Sequence, residues 1–207
     1  MMIEAENLGR RRFLFVSHRT PTNGDFNLND LPGSGGRVDV LARCIGSSLL
    51  ISNAIRRDAS VSIYFSGDGA EGITVVVSGS RVKHLNPDER STSALLRNAL
   101  VKARIQDEGE SSPGIYFSHK GLGPLAGMLS EGCTTYYLKE DGERSPRLRL
   151  PALFIIGDSR DLSREEESIL PKAVTGRISI SRTSLQSDQC ATILNWMLDN
   201  DMASDTS

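Results

Sequence analysis

Two short segments in the last quarter of the chain carry residue types able to hold a small cofactor. In the first, the apolar run Leu153-Phe154-Ile155-Ile156 delivers Gly157-Asp158-Ser159-Arg160-Asp161-Leu162-Ser163. Glycine at the carboxyl end of a strand lets a ligand approach the backbone, and open α/β sheets bind ligands outside the carboxyl ends of their strands. In the second, Arg177-Ile178-Ser179-Ile180-Ser181 delivers Arg182-Thr183-Ser184-Leu185-Gln186, after which Ser187 is placed to cap a closing helix. The chemistry this pattern suits is recognition by backbone amides and carbonyls. Cys190, one turn into that helix, reads as a small buried hydrophobe, because a nucleophilic thiol needs a base and no histidine follows His119.

Other site chemistries find little support. His18, His84 and His119 show no metal-ligand spacing, and Cys44, Cys133 and Cys190 form no Cys-x-x-Cys pair, so neither a metal site nor a disulfide framework is expected. Gly67-Asp68-Gly69-Ala70-Glu71-Gly72 matches the dinucleotide pattern G-x-G-x-x-G. That fingerprint requires a helix directly behind the glycines, whereas the β-branched run Ile73-Thr74-Val75-Val76-Val77 follows here. The segment therefore reads as a hairpin turn.

The elements that must position the two loops follow from hydrophobic periodicity. Strands are predicted over 13–17, 61–65, 73–78, 114–119, 134–138, 153–157 and 177–181, and helices over 38–55, 88–106 and 122–131, from Ser163, and from Ser187. Asn86 and Glu89 suit an N-cap and its capping box, as do Ser163 and Glu166. Residues 18–37 form a loop longer than a compact domain normally carries, and 107–114 and 140–146 read as turns. Alternating strands and helices define an α/β fold with a mainly parallel sheet in one domain over 1–207, flanked by an extension over 1–11 and a frayed tail over 200–207. No apolar run is long enough to span a membrane and the first residues lack a signal-type apolar core, so a cytoplasmic location is expected. Residues 1–104 carry 14 lysines and arginines against 10 acids, while 105–207 carry 10 against 16, which suits a polyanion-facing N-terminal half.

The run Gly157-Asp158-x-x-x-Leu162, then Ile178-Ser179-Ile180-Ser181, Leu185 and a closing helix, resembles the SPOUT methyltransferases. The segments RRFLFVSHRTPTNGDFNLNDLPGSGGRVDVLARC, SNAIRRD, LNPDERSTSALLRNAL, SSPGIYFS, YYLKEDGE, IIGD and SLQSDQC resemble the archaeal tRNA (pseudouridine-54) N1-methyltransferases, and less closely the ribosomal-RNA pseudouridine N1-methyltransferases. The resemblance implies helices on both faces of the sheet, a C-terminal trefoil knot, S-adenosylmethionine as cofactor and a homodimer with the active site at its interface. It implies cofactor contacts from Leu138, Gly157, the loop Ile180, Ser181, Arg182, Thr183, Ser184 and Leu185, and from Cys190.

It also implies the chemistry. Pseudouridine has a free N1–H that uridine lacks. N1 must lose that proton and attack the sulfonium methyl in line, so alignment and electrostatic stabilisation supply most of the rate. Asp39 and Asp58, each beside arginines, are the carboxylates expected to serve as base or orienter. Arg37, Arg56, Arg57 and Arg90 are the expected RNA contacts, and Asn29 and Asp30 are expected to shape the nucleotide pocket. Methylation of ribosomal RNA, a non-catalytic RNA-binding or ribosome-assembly role, and ribose 2′-O-methylation are the competing readings; the last lacks a matching catalytic arginine motif.

Overall fold

The computed structural model describes residues 7–67, 72–144, 146–158, 160–170 and 174–204. In chain order the elements are β1 (Arg11–Ser17), α1 (Val38–Leu49), β2 (Leu50–Ile51), β3 (Ala54–Ile55), β4 (Ala59–Phe65), β5 (Ile73–Ser78), α2 (Glu89–Ala103), β6 (Glu108–Ser112), β7 (Ile115–Ser118), α3 (Leu122–Ser130), β8 (Thr134–Arg144), β9 (Ala152–Gly157), α4 (Arg164–Ile169), β10 (Val174–Ser179) and α5 (Ser187–Ser204). Eight strands form one sheet in the order β10-β8-β9-β1-β4-β5-β7-β6. The five from β10 to β4 are parallel, and β5, β7 and β6 extend the sheet antiparallel.

Strand β1 shows why the sheet is covered on both sides. Every residue from Arg11 to Ser17 is buried, as expected for a central parallel strand. Phe13 and Phe15 enter a core with α1, α2 and α5, while Leu14 and Val16 enter a second core with Leu122, Leu125, Ala126 and Leu129 of α3. Helices thus lie on both faces, and the parallel strands aim their carboxyl ends at one edge.

Several boundaries differ from the sequence reading, each for a local reason. The apolar spacing of Val38, Leu41, Ile45 and Leu49 ends at Leu49, and the helix expected to reach 55 ends there too; Leu50 turns extended and pairs through the Ser52-Asn53 turn with Ala54–Ile55. The cap of α2 is Asp88, whose side chain accepts from the Ser91 N–H at 2.7 Å, so the helix starts two residues after Asn86 allows. Residues 108–112, expected as a turn, form the edge strand β6; their charged and small side chains suit an edge. β8 runs on through residues 140–144 of the expected turn. Its register with β10 jumps from Tyr137↔Arg177 to Glu143↔Ile178, which leaves 138–142 looped out.

The hairpin between β4 and β5 is present in the pairing Phe65↔Ile73, while residues 68–71 of its turn lie outside the described residues. Of the extension expected over 1–11, residues 7–11 are integrated. Leu8 is fully buried, the Arg10 N–H donates to the Asp58 carbonyl at 2.8 Å, and Arg11 opens β1; residues 1–6 lie outside the described residues. At the other end α5 continues to Ser204, and residues 205–207 lie outside the described residues. None of the described helices is long and apolar enough to cross a membrane.

Candidate cofactor site

At the carboxyl ends of β8, β9 and β10 lies a cavity of about 640 Å³. Three chain segments wall it. The looped-out 138–140 comes from β8, the 157–161 excursion from β9, and 178–190 from β10 through the first turn of α5. Val40, Leu138, Ile156, Ile178, Ile180 and Leu185 supply apolar surface, and Ser179, Ser181, Thr183, Ser184 and Ser187 supply hydroxyls. Eight of the nine expected cofactor residues line this cavity: Leu138, Gly157, Ile180, Ser181, Thr183, Ser184, Leu185 and Cys190; Arg182 is exposed and does not. Burial first, then the charge of Asp188, pushes the Cys190 thiol up to about 11, so it stays protonated and serves as a wall, not a nucleophile.

Gly157 is required by the chain itself. A Cβ there would lie 2.2 Å from the Arg160 carbonyl oxygen, so the atom that needs the space is the chain's own. The carbonyls of Gly157 and Asp158 accept from Ser187 Oγ at 2.7 and 2.9 Å. Ser187, expected as a helix cap, instead bonds the first turn of α5 to the cofactor loop.

Arg37 enters the cavity from the opposite side, at the end of the long loop. That loop is folded rather than loose. The Asp30 carboxylate accepts from the N–H groups of Gly33 (3.2 Å) and Ser34 (2.8 Å), and Phe26 and Leu31 are buried. Neither Asn29 nor Asp30 lines the cavity, because Asp30 is occupied in holding its own turn. Among the described residues, Arg37 is the only non-glycine with positive φ, at 71°. Such a conformation costs free energy and persists only where the surroundings impose it. Here Gly36 leads into it (φ 55°), and the Asp39 carboxylate holds the guanidinium at 3.1 and 3.2 Å.

Asp39 is buried and also accepts from Arg43 at 3.1 Å. Burial raises its pKa, but Arg37 and Arg43 outweigh burial and hold it below the usual carboxylate value. A carboxylate so held is an orienter of arginines and a weak base. Arg43, which the sequence reading passed over, reaches Glu89 (2.9 Å), Gln186 (3.3 Å) and Asp188 (3.6 Å) as well, tying α1 and α2 to the cavity wall.

Asp58 and its neighbouring arginines stand elsewhere. They precede β4, so they occupy the amino-terminal edge of the parallel strands, opposite the cavity. Asp58 pairs with Arg11 at 3.2 Å, Arg56 makes a two-pronged pair with Asp199 at 3.0 and 2.8 Å, and Arg57 donates to the carbonyls of Gly79 and Val82. Within one chain these residues do not join the cavity. Arg90 is exposed beside Glu89, whose carboxylate binds Arg43, and so lies on the cavity side. No group of three or more histidines, cysteines or acids suited to a metal ion occurs among the described residues.

A cavity of mixed apolar and hydroxyl lining at the carboxyl ends of parallel strands, completed by a C-terminal helix, suits an amphipathic nucleoside-sized cofactor. Comparison with known proteins makes the class specific. Residues 10–203 match the family model described as "Putative SAM-dependent RNA methyltransferase". The tRNA (pseudouridine(54)-N(1))-methyltransferase of Methanosarcina acetivorans is 39% identical over 193 residues, covering 91% of this chain and 90% of its own. The enzyme of that name from Methanocella arvoryzae is 36% identical over 192 residues, covering 91% and 98%. Among solved structures, Nep1 of Archaeoglobus fulgidus bound to S-adenosylhomocysteine superposes with a TM-score of 0.61 at 14% identity, covering 94% of this chain and 99% of that one. The chain belongs to this family of S-adenosylmethionine-dependent RNA methyltransferases.

Proposed function

We propose that the protein methylates N1 of pseudouridine at position 54 of tRNA, with S-adenosylmethionine as donor. The observation that carries this reading is the cavity at the carboxyl ends of β8, β9 and β10, in a chain that matches relatives bearing that activity's name over 91% of its length. The cavity fits the cofactor by its chemistry. Apolar side chains suit an adenine, and clustered hydroxyls suit a ribose. When bound, the cofactor supplies an electrophilic methyl group.

The chain's residues then have three tasks. The walls from 138–140, 157–161 and 178–190 hold the cofactor and exclude water. Arg37 points a fixed positive charge into the cavity, where it stabilises the anion that forms as N1 gives up its proton. Asp39, kept ionised by two arginines, orients Arg37 and does not take the proton. The N1–H is only weakly acidic, so its proton would leave to solvent as N1 accepts the methyl group that the bound cofactor would supply, with Arg37 favouring the N1 anion.

Arg37 lines the cavity and Arg90 follows Glu89, the partner of Arg43; these two arginines are the proposed contacts to RNA from this chain, while Arg56, Arg57 and Asp58 serve the site only if a second copy presents its opposite edge. That arrangement matches a homodimer formed through α5, whose Trp196 is 65% exposed on a helix otherwise well packed on α1. Threading of the closing segment into a trefoil knot is consistent with the bonding of Ser187 to the 157–158 carbonyls. A tRNA-modifying role fits a cytoplasmic location.

The test is methyl transfer from labelled S-adenosylmethionine to two tRNA transcripts, one with pseudouridine and one with uridine at position 54. Label enters only the first. Equal labelling of both, or binding of S-adenosylhomocysteine without labelling of either, refutes the reading.

A further inference from the structure

The excursion after β9 gives the cavity Asp158, Arg160 and Asp161, and none of its described residues belongs to a helix or strand before α4 begins. Its two ends converge on one side chain from another part of the chain. His18, the residue after β1, donates its N–H to Asp158 Oδ2 at 2.9 Å; its ring Nδ1 lies 3.3 Å from Asp158 Oδ1, and its Nε2 lies 3.0 Å from Glu166 Oε2. All three side chains are largely buried, with 17%, 7% and 16% exposure for His18, Asp158 and Glu166.

We propose that His18 is a positioning residue for the cofactor: bridging Asp158 and Glu166, its imidazolium holds the 158–166 excursion closed against the end of β1 and so sets one wall of the cavity. The inference rests on the cavity being the cofactor's site. Each carboxylate is already committed to the excursion's own backbone. Asp158 Oδ1 accepts from the Arg160 N–H at 3.0 Å, and Glu166 Oε2 accepts from the Ser163 N–H at 2.8 Å. One cation therefore locks both turns, with a second hold from Lys139 on Asp161 at 2.8 Å. Without a charge between them, two buried carboxylates repel across the closure.

Protonation of the ring is favoured first by its hydrogen bond to Asp158 and then by Glu166, which together outweigh burial and raise its pKa to about 9. Tyr64 of β4 faces Glu166 and the buried Cys44 of α1 faces Asp158; burial keeps the hydroxyl and the thiol neutral. Because the folded value lies above the ordinary 6.5, the clamp is complete below that pH and is lost as pH rises through about 9.

The experiment is titration calorimetry of S-adenosylhomocysteine with the full chain between pH 6.5 and 9.5. Wild-type affinity is flat at first and falls toward the alkaline end. His18→Gln binds roughly 30-fold more weakly near neutrality, because the charge-assisted bonds are gone, and its affinity no longer changes with pH. In turnover the variant raises KM for S-adenosylmethionine while kcat at saturation stays within about threefold. Unchanged affinity overturns the proposal, as does a His18 midpoint near its ordinary value in an NMR titration of the unmodified protein. Gly157→Ala separates the two levels of argument. If it weakens binding and His18→Gln does not, this inference alone falls; if neither does, the cavity assignment falls with it.

Discussion

Gly157→Ala tests the cavity through a single methyl group. The added Cβ would stand 2.2 Å from the Arg160 carbonyl oxygen, and real contacts of this kind stay above 3.0 Å, so the 158–161 turn must retreat by about 0.8 Å. Three of the bonds that seat the turn cannot all survive that shift. They are Ser187 Oγ to the carbonyls of Gly157 (2.7 Å) and Asp158 (2.9 Å), and the Asp158 N–H to the Val16 carbonyl (3.1 Å). Each is worth about 1 kcal/mol net, so losing two or three costs roughly 2–3 kcal/mol at the cofactor wall. Where that cost falls on the cofactor-binding conformation, affinity drops roughly 30- to 100-fold. The assay is calorimetric titration with S-adenosylhomocysteine, alongside a thermal melt that shows the sheet intact. Affinity within twofold of the parent, in a protein whose melt is unchanged, refutes the reasoning, because the turn would then have moved without consequence for the ligand.

Two further perturbations separate the roles of the other residues. Asp39→Asn removes the charge that fixes Arg37 and Arg43, and single-turnover methyl transfer is expected to slow by about 10- to 100-fold with cofactor affinity little changed. Because the folded pKa of Asp39 lies below its ordinary value, its stabilisation is present above that value and lost as pH falls through the folded one; the variant's melting temperature is correspondingly less sensitive to acid. Trp196→Glu places a charge on the exposed face of α5, and light scattering is expected to report a dimer for the unmodified protein and a monomer for the variant; a dimer in both removes α5 from the interface.

The strands were legible because central parallel strands are buried on both faces and read as unbroken apolar runs, as Leu153–Ile156 and Phe13–Val16 do. The candidate loop after β9 was legible for the same reason, since it begins where the run Leu153–Ile156 stops; the second follows the alternating Ile178-Ser179-Ile180-Ser181 at the end of the edge strand β10. The 138–142 excursion was not legible from periodicity. It is a register jump between β8 and β10 that only glycine at 142 permits, because a Cβ there would lie 2.5 Å from the Ile178 backbone. Nothing local to residues 138–142 records that pairing. His18 and Arg43 escaped for a related reason. Each acts by joining segments more than a hundred residues apart, Asp158 and Glu166 in one case, Gln186 and Asp188 in the other. Asp58 was singled out because it neighbours arginines in sequence, but a residue before β4 and a residue after β9 lie at opposite ends of parallel strands.

The long-range bonds also say how the site is completed. Ser187 at the start of α5 holds the carbonyls of the 157–158 turn. Further along the same helix, Asn195 donates to the carbonyls of Ser47 and Ser48 and accepts from Arg11 of β1 at 3.2 Å. Arg11 in turn pairs with Asp199 at 2.6 Å while only 4% exposed. α5 is therefore fixed at its first turn to the cofactor loop and along its length to α1 and the central strand. A helix anchored that way cannot dock without closing the cavity, and the cavity lacks the wall that carries Ser187, Gln189 and Cys190 until it does. Cofactor binding and docking of the last helix are then linked equilibria: a ligand that binds only the docked form stabilises it by RT ln(1 + [L]/Kd), about 2.7 kcal/mol at a hundred times Kd.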